Sequence, residues 1–150
     1  MRIKITGRSR KVHSKVVRSA LQWYARDLMP RLSTKIDLEL HIQDNLVRDE
    51  HMDAAVTWLE EPVRPRKFIM EVDAGLGLER MLEMLAHEMV HVKQFATGEL
   101  VDNPGSKTVK WLGKRVSLRD DDGYWTLPWE IEAYGRQPGL YARFCRHKGI

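Results

Sequence analysis

The residues best suited to chemistry lie in one short stretch with the pattern H-E-x-x-H, formed by His87, Glu88 and His91. On a helix, side chains four residues apart leave the same face about one turn from each other. Two imidazoles arranged in this way can bind a single metal ion, and zinc commonly takes such a pair. Glu88 borders the same face, so it can reach a metal-bound water without being a ligand.

The residues around this pattern predict a buried helix over about residues 78–97, which Gly98 ends. Two histidines and a glutamate beside a buried apolar stripe would be costly without partners. This setting favours a metal site over a surface helix that carries two ordinary histidines. The apolar stripe consists of Leu78, Met81, Leu82, Leu85, Met89 and Val92.

A catalytic zinc needs a third protein ligand and one open position. No histidine follows His91 within the next two turns, so the third ligand must come from elsewhere in the chain. Glu130 and Glu132 stand at the start of a later predicted helix, where they project about 200° apart and cannot both face one metal. The residues alone leave the choice open between these carboxylates and the remaining histidines, which are His13, His41, His51 and His147.

The bulk properties predict one domain over residues 1–150, with 43% hydrophobic and 31% charged residues. No run of about 18 apolar residues predicts a membrane span. The first eight residues lack an apolar signal core, and Cys145 is the single cysteine, so we expect a cytoplasmic protein. Nothing in the sequence demands more than a monomer.

The net charge of +4 is compatible with a nucleic-acid partner but does not require one. One basic cluster stands near the start of the chain, and we interpret it mainly as a solvated helix face. Weak nucleic-acid association therefore stays an open expectation. The cluster consists of Arg8, Arg10, Lys11, Lys15 and Arg18.

Before the motif, the pattern predicts a first helix that Pro30 closes and strands over 36–42, 54–59 and 67–72. His41 falls on the polar face of the first of these three strands, and we expect it to be exposed. Residues 44–53 read as a loop. Strand 67–72 directly precedes the motif helix, and we expect it to offer an open edge for an extended peptide.

After the motif, we expect a loop over 101–106. Segments 109–116 and 123–127 flank an acidic turn at Asp120–Asp122, and they pair as a hairpin or lie as irregular loops. A helix should start at Pro128 and break at Gly135 and Pro138 before a last helical piece with a solvated basic tail.

Two stretches of the chain carry a resemblance to known metallopeptidases. The motif, taken together with Pro128-Trp129-Glu130-Ile131-Glu132-Ala133, resembles the gluzincins, in which a glutamate on a later helix is the third zinc ligand. Residues 82–94 resemble the small SprT-like metalloprotease domains, many of them viral or phage-encoded. The segment Lys110-Trp111-Leu112-Gly113-Lys114 is similar to their W-x-G segment.

The resemblance implies an α+β, zincin-like minimal metallopeptidase, with a small β-sheet packed on the motif helix and a second helix that carries the third ligand. It implies Zn2+ held by His87, His91 and Glu130, because Ala133 then falls three residues after the ligand. Glu88 would act as general base in the hydrolysis of a protein or peptide substrate.

Two points stay open in this interpretation. A second group must stabilise the oxyanion, and the candidates are Tyr124, Tyr134 and Tyr141. The alternative function is a catalytically inactive zinc-binding or DNA-associated module with the same fold.

Overall fold

The structure is a computed structural model that describes residues 1–118 and 123–150, so the acidic turn expected at 120–122 lies outside the described residues. The described part contains two small sheets and four α-helices, which is the predicted mixed α+β class. None of its helices is both long enough and apolar enough to cross a membrane. The elements are β1 Arg2–Thr6, α1 Ser14–Leu28, β2 Asp37–Gln43, α2 Leu46–Glu50, β3 Ala54–Leu59, β4 Lys67–Asp73, α3 Leu78–Ala96, β5 Leu100–Asp102, β6 Thr108–Trp111, β7 Lys114–Ser117 and α4 Pro128–Lys148.

The larger sheet has the strand order β1-β2-β4-β3, with β1, β2 and β4 parallel and β3 antiparallel to β4. Strand β2 alternates as predicted: Leu38 and Leu40 are buried in the core, while Asp37 lies on the outer face and pairs with Arg2 at 2.8 Å. One face of the sheet is therefore free to pack against helices.

The expectation that strand 67–72 offers an open edge is wrong, because β4 lies between β2 and β3. Its main chain pairs with β2 on one side and with β3 on the other. At its end the Asp73 N–H donates to the Asp53 carbonyl at 2.9 Å, and just beyond it the Ala74 N–H donates to the Gln43 carbonyl at 2.8 Å. Hydrogen-bonded and non-bonded positions alternate along an antiparallel pair. Strand β3 is therefore an edge strand, like β1 at the other end of the sheet. Because Asp53 bonds to β4, the odd-numbered residues of β3 face β4, and the even-numbered ones direct their main-chain groups away from it.

Helix α3 lies between the sheet and α4, in contact with both. As a result, every residue from 84 to 96 is buried, including charged ones. Leu78 is the exception in the predicted apolar stripe and is 40% exposed at the start of the helix. A helix buried on all sides must have partners within the protein for its polar side chains.

Helix α4 runs without a break, so the interruption predicted at Gly135 and Pro138 is wrong. A proline inside a helix costs about 3 kcal/mol because it removes one hydrogen bond and crowds the preceding turn. Leu140 and Phe144 lie beyond it and are fully or almost fully buried, and each buried side chain of this size contributes about 1.5–3 kcal/mol. Their burial outweighs the local cost.

Three loop predictions also need correction. Segment 109–116 folds back on itself as the hairpin β6–β7, because Leu112 and Gly113 both have positive φ and form a tight turn. The segment around 123–127 instead forms a short 3-10 helix, Tyr124–Thr126. The expected loop over 101–106 begins within β5, and the expected loop over 44–53 contains α2.

The basic end of α4 is only partly the solvated tail that the sequence predicts. The Arg143 guanidinium donates to the Asp27 carboxylate at 2.8 Å and lies 5.5 Å from the centre of a Trp23 ring. The His147 ring packs against the same tryptophan. These contacts tie the end of α4 to α1.

Candidate metal centre

Three of the side chains singled out in the sequence meet between α3 and α4. The Nε2 atoms of His87 and His91 are 3.2 Å apart. One Glu130 oxygen lies 3.2 Å from Nε2 of His87, and the other lies 3.1 Å from Nε2 of His91. All three residues are buried, and together their side chains form a cluster that could bind a metal ion.

Helix packing explains why the carboxylate reaches the two imidazoles. His87 and His91 leave the same face of α3 one turn apart, and α4 packs along that face. Ala133, one turn after Glu130, is completely buried. A small side chain at this position lets the two helix backbones approach closely.

Gln94 fixes the orientation of the His91 ring. Its amide nitrogen donates to the Trp129 carbonyl at 2.9 Å and to the Glu132 carboxylate at 2.8 Å. Both partners accept only, so the amide oxygen must face Nδ1 of His91, 2.8 Å away. In the neutral ring the hydrogen then resides on Nδ1, and Nε2 presents a lone pair to the cluster.

His87 is held in a similar way by residues of α4. Its Nδ1 lies 3.2 Å from the Gln137 amide oxygen, and the Tyr134 ring packs edge-on against it at 4.3 Å. The sequence reasoning missed both glutamines. Gln94 could have been found at i+3 from His91, whereas Gln137 lies two turns beyond Glu130 and was hidden by the predicted break in the helix.

The centre of the cluster is short of positive charge. With both rings neutral, two nitrogen lone pairs and a carboxylate converge, and Glu130 Oε2 is the buried side-chain oxygen without a hydrogen-bond partner among the described residues. Only a cation, either a proton or a metal ion, can satisfy all three groups. Two imidazoles and one carboxylate are a donor set that divalent transition metals accept, so the residues fit a metal of this type.

The pKa values of the cluster reflect this demand for a cation. Burial alone would raise the pKa of Glu130, but the imidazoles of His87 and His91 outweigh burial and lower it to about 2. Burial alone would lower the pKa of His91, but the bond to Glu130 and the charges of Glu88 and Glu130 raise it above its usual value. Protons and a metal ion therefore compete for the same place.

Glu88 lies beside the cluster without belonging to it. Its side chain is buried yet lines an open cleft of about 690 Å³ that also reaches His87 and His91. Burial raises the pKa of Glu88, and the charges of His91 and His87 partly oppose this rise. A carboxyl group with a raised pKa in a cleft is suited to proton transfer.

The cleft also separates the three tyrosine candidates. Tyr124 and Tyr134 line it, whereas Tyr141 lies outside the lining and has Cys145 as its main neighbour. Burial and a hydrogen bond to Glu130 raise the pKa of Tyr124, so its hydroxyl stays protonated and can donate. The edge strand β3 forms another wall through Ala54, Ala55 and Val56.

The other candidate ligands do not join the cluster. Glu132 instead pairs with Lys93 at 3.0 Å and with Arg136 at 3.1 Å. His51 lines the cleft but lies outside the cluster. The remaining histidines have structural surroundings: His13 caps α1, His41 is partly exposed and pairs with Glu39 at 3.1 Å, and His147 packs on Trp23.

Two members of the N-terminal basic cluster bind the protein's own main chain. The Lys11 ammonium donates to the Gly75 carbonyl at 2.9 Å, and the Arg18 guanidinium donates to the Ile3 carbonyl at 2.6 Å. These contacts agree with the interpretation that the basic residues stabilise the protein's own surface. Nucleic-acid association stays a prediction.

Comparison with protein-family models, with curated proteins and with solved structures finds no match for this chain. The zincin-like and SprT-like assignments therefore stay predictions.

Proposed function

We propose that this chain is a zinc-dependent metallopeptidase that hydrolyses peptide bonds, with Glu88 as general base. The observation that carries the proposal is the convergence of two imidazole Nε2 atoms and the Glu130 carboxylate beside a buried Glu88, all next to one open cleft. A catalytic metal site requires three protein ligands and one position open to substrate, and these three side chains beside an open cleft would provide both.

His87, His91 and Glu130 would hold the zinc. When bound, zinc supplies Lewis acidity, which brings the pKa of a water ligand toward about 7 and polarises a substrate carbonyl. Gln94 and Gln137 orient the two imidazoles for this purpose by accepting their Nδ1 hydrogens.

Glu88 would move the proton in this reaction. Its carboxylate takes a proton from the attacking water as the new C–O bond forms, and it returns that proton to the amide nitrogen as the C–N bond breaks. A carboxyl group of ordinary pKa is a poor proton donor near neutral pH. The raised pKa of Glu88, caused mainly by burial, suits both halves of the transfer.

The free edge of β3 supports an extended peptide as the substrate. Ala54 and Val56 line the cleft, and their main-chain N–H and C=O groups point away from β4. An extended segment can pair with such an edge by main-chain hydrogen bonds and lie along the cleft past Glu88. Tyr124 or Tyr134, which also line the cleft, would donate to the developing oxyanion.

The competing function is a zinc-binding module of the same shape without peptidase activity. The two differ in what Glu88 does, because a module that only binds metal needs no base in the cleft. We therefore propose to measure zinc content and peptide hydrolysis together in the wild type and in Glu88→Gln. Glu83→Gln is the matched control, because Glu83 lies on the same helix outside the lining of the cleft.

The expected result is about one zinc per chain in all three proteins. A fluorogenic peptide library should be cleaved by the wild type and Glu83→Gln, and about 10²–10⁴-fold more slowly by Glu88→Gln. Full activity in Glu88→Gln would remove the mechanism. Zinc binding without hydrolysis in the wild type would favour the competing function.

A further inference from the structure

The cluster has one carboxylate neighbour whose contacts go beyond an ordinary ion pair. We propose that Glu132 is a positioning residue, which fixes the Gln94 amide and thereby holds the His91 imidazole in the tautomer that leaves Nε2 free for a metal. The inference deepens the proposed function, since it rests on the metal site named there. It assigns a role to the glutamate that does not bind the metal.

The contacts form a continuous chain through the buried side of α3. Gln94 is completely buried, and its amide hydrogens are donated to the Trp129 carbonyl and the Glu132 carboxylate at 2.9 and 2.8 Å. Its amide oxygen then faces Nδ1 of His91 at 2.8 Å. No solvent reaches this amide to offer an alternative partner.

Rotating the amide by 180° would reverse the outcome at the metal site. The amide nitrogen would face Nδ1 of His91, which would have to give up its hydrogen to accept. In the neutral ring that hydrogen would move to Nε2 and point at Glu130, where it blocks a metal. Glu132 and the Trp129 carbonyl oppose the rotation, because each would then meet the amide oxygen at a distance suited to a hydrogen bond.

Ion pairs hold Glu132 itself in position and keep it charged. Its carboxylate accepts from Lys93 at 3.0 Å and from Arg136 at 3.1 Å. A merely structural role for Glu132 would consist of neutralising Lys93, whose side chain is only 11% exposed. Glu99 also neutralises Lys93, at 3.0 Å, and the Gln94 amide nitrogen donates to Trp129 and Glu132 and not to Glu99.

This difference provides a matched pair of variants, Glu132→Ala and Glu99→Ala. Each removes one carboxylate from Lys93, but only Glu132→Ala also removes an acceptor from the Gln94 amide. Gln94→Leu is the third variant, because it removes the amide and leaves the ion pairs of Glu132 untouched. Two measurements apply to each protein: zinc affinity by competition with a chelator, and the His91 tautomer by 15N NMR of the metal-free protein at pH 9.

We expect the wild type and Glu99→Ala to keep one His91 tautomer, with hydrogen on Nδ1, and the same zinc affinity. Glu132→Ala and Gln94→Leu should each show a mixture of tautomers and bind zinc about 10–100-fold more weakly. A variant that combines Glu132→Ala with Gln94→Leu should bind zinc no more weakly than Gln94→Leu alone, because both changes act through one amide.

A single Nδ1–H tautomer with wild-type zinc affinity in Glu132→Ala would overturn the proposal. So would an equal effect of Glu99→Ala, since neutralisation of Lys93 would then explain the result. If Glu132→Ala did not fold, Gln94→Leu would still test the tautomer. Absence of peptidase activity would count against the proposed function, while the NMR and zinc measurements would still decide the role of Glu132.

Discussion

Replacing Glu130 by glutamine should have opposite effects on the metal-free and the zinc-loaded protein. Glu130 Oε2 is buried without a hydrogen-bond partner, although Nε2 of His87 lies 3.2 Å away. With neutral rings, both atoms carry lone pairs and no hydrogen lies between them. Glutamine has almost the same shape and brings an N–H that can donate to one of these nitrogens.

The size of the effect follows from the environment of this oxygen. An unsatisfied buried polar atom costs about 1–3 kcal/mol, so Glu130→Gln should stabilise the metal-free protein by an amount in that range. For a chain of this length, each kcal/mol changes Tm by roughly 2–4 °C. Zinc at about 1,000 times its Kd stabilises the wild type by about 4.1 kcal/mol, and the glutamine variant should lose most of this gain.

Thermal unfolding at pH 9, with a chelator or with excess zinc, measures both effects in the same protein. We expect Tm without metal to be higher for Glu130→Gln than for the wild type, and the order to reverse with zinc. Glu99→Gln is the matched control, because Glu99 accepts from Lys93 and lies outside the cluster. If Glu130→Gln lowered Tm without metal and kept the full zinc response, Glu130 would not be a ligand and the account of the cluster would be wrong.

Four further predictions follow from the structure. Zinc affinity should rise with pH, because the raised pKa of His91 lets protons compete with zinc up to a higher pH than at an ordinary imidazole. Chelator competition from about pH 6 to pH 9 measures this dependence, and a zinc affinity that does not change with pH would contradict the prediction. Tyr124→Phe should lower kcat by about 10²–10³-fold with zinc content unchanged. Tyr141→Phe is the control and should have wild-type kinetics, because Tyr141 lies outside the lining of the cleft. Equal rates in both variants would exclude Tyr124 as the hydrogen-bond donor to the oxyanion. Val56→Pro should raise KM for peptides without loss of zinc, because the Val56 N–H, which proline lacks, points to the free edge of β3. Thr57→Pro should instead unfold the protein, because it removes a hydrogen bond to β4. An unchanged KM in Val56→Pro would argue against binding of the peptide at this edge. Pro138→Ala should raise the free energy of unfolding by about 1–2 kcal/mol, because it restores a helix hydrogen bond. Denaturant unfolding measures this change, and a decrease would contradict the prediction.

Much of the fold could be predicted from local patterns. Alternation identified β2, and apolar spacing identified α1 and α3, because each half-buried element shows its own period in the sequence. The order of strands in the sheet could not be predicted in this way. Strand β4 lies inside the sheet and β3 at its edge because of pairings between segments far apart in the chain, and these pairings leave no local period.

Helix α4 shows where local reasoning fails. Gly135 and Pro138 signal a break, and in an isolated peptide their cost would decide the conformation. In the protein, burial of Leu140 and Phe144 against the core provides more free energy than the proline removes. The error had a consequence for the site, because it concealed that Gln137 shares a helix face with Glu130.

The sequence by itself determined that two imidazoles and a carboxyl group share one helix turn, because the spacing of His87, Glu88 and His91 and the helical period leave no other arrangement. Tertiary structure alone decided which acid joins them. Glu130 and Glu132 are equivalent in type and close in the chain, and only the packing of α4 on α3 turns Glu130 toward the imidazoles and Glu132 toward Lys93 and Gln94. Orientation between helices depends on side chains that meet only after folding, so neighbouring residues in the sequence cannot specify it.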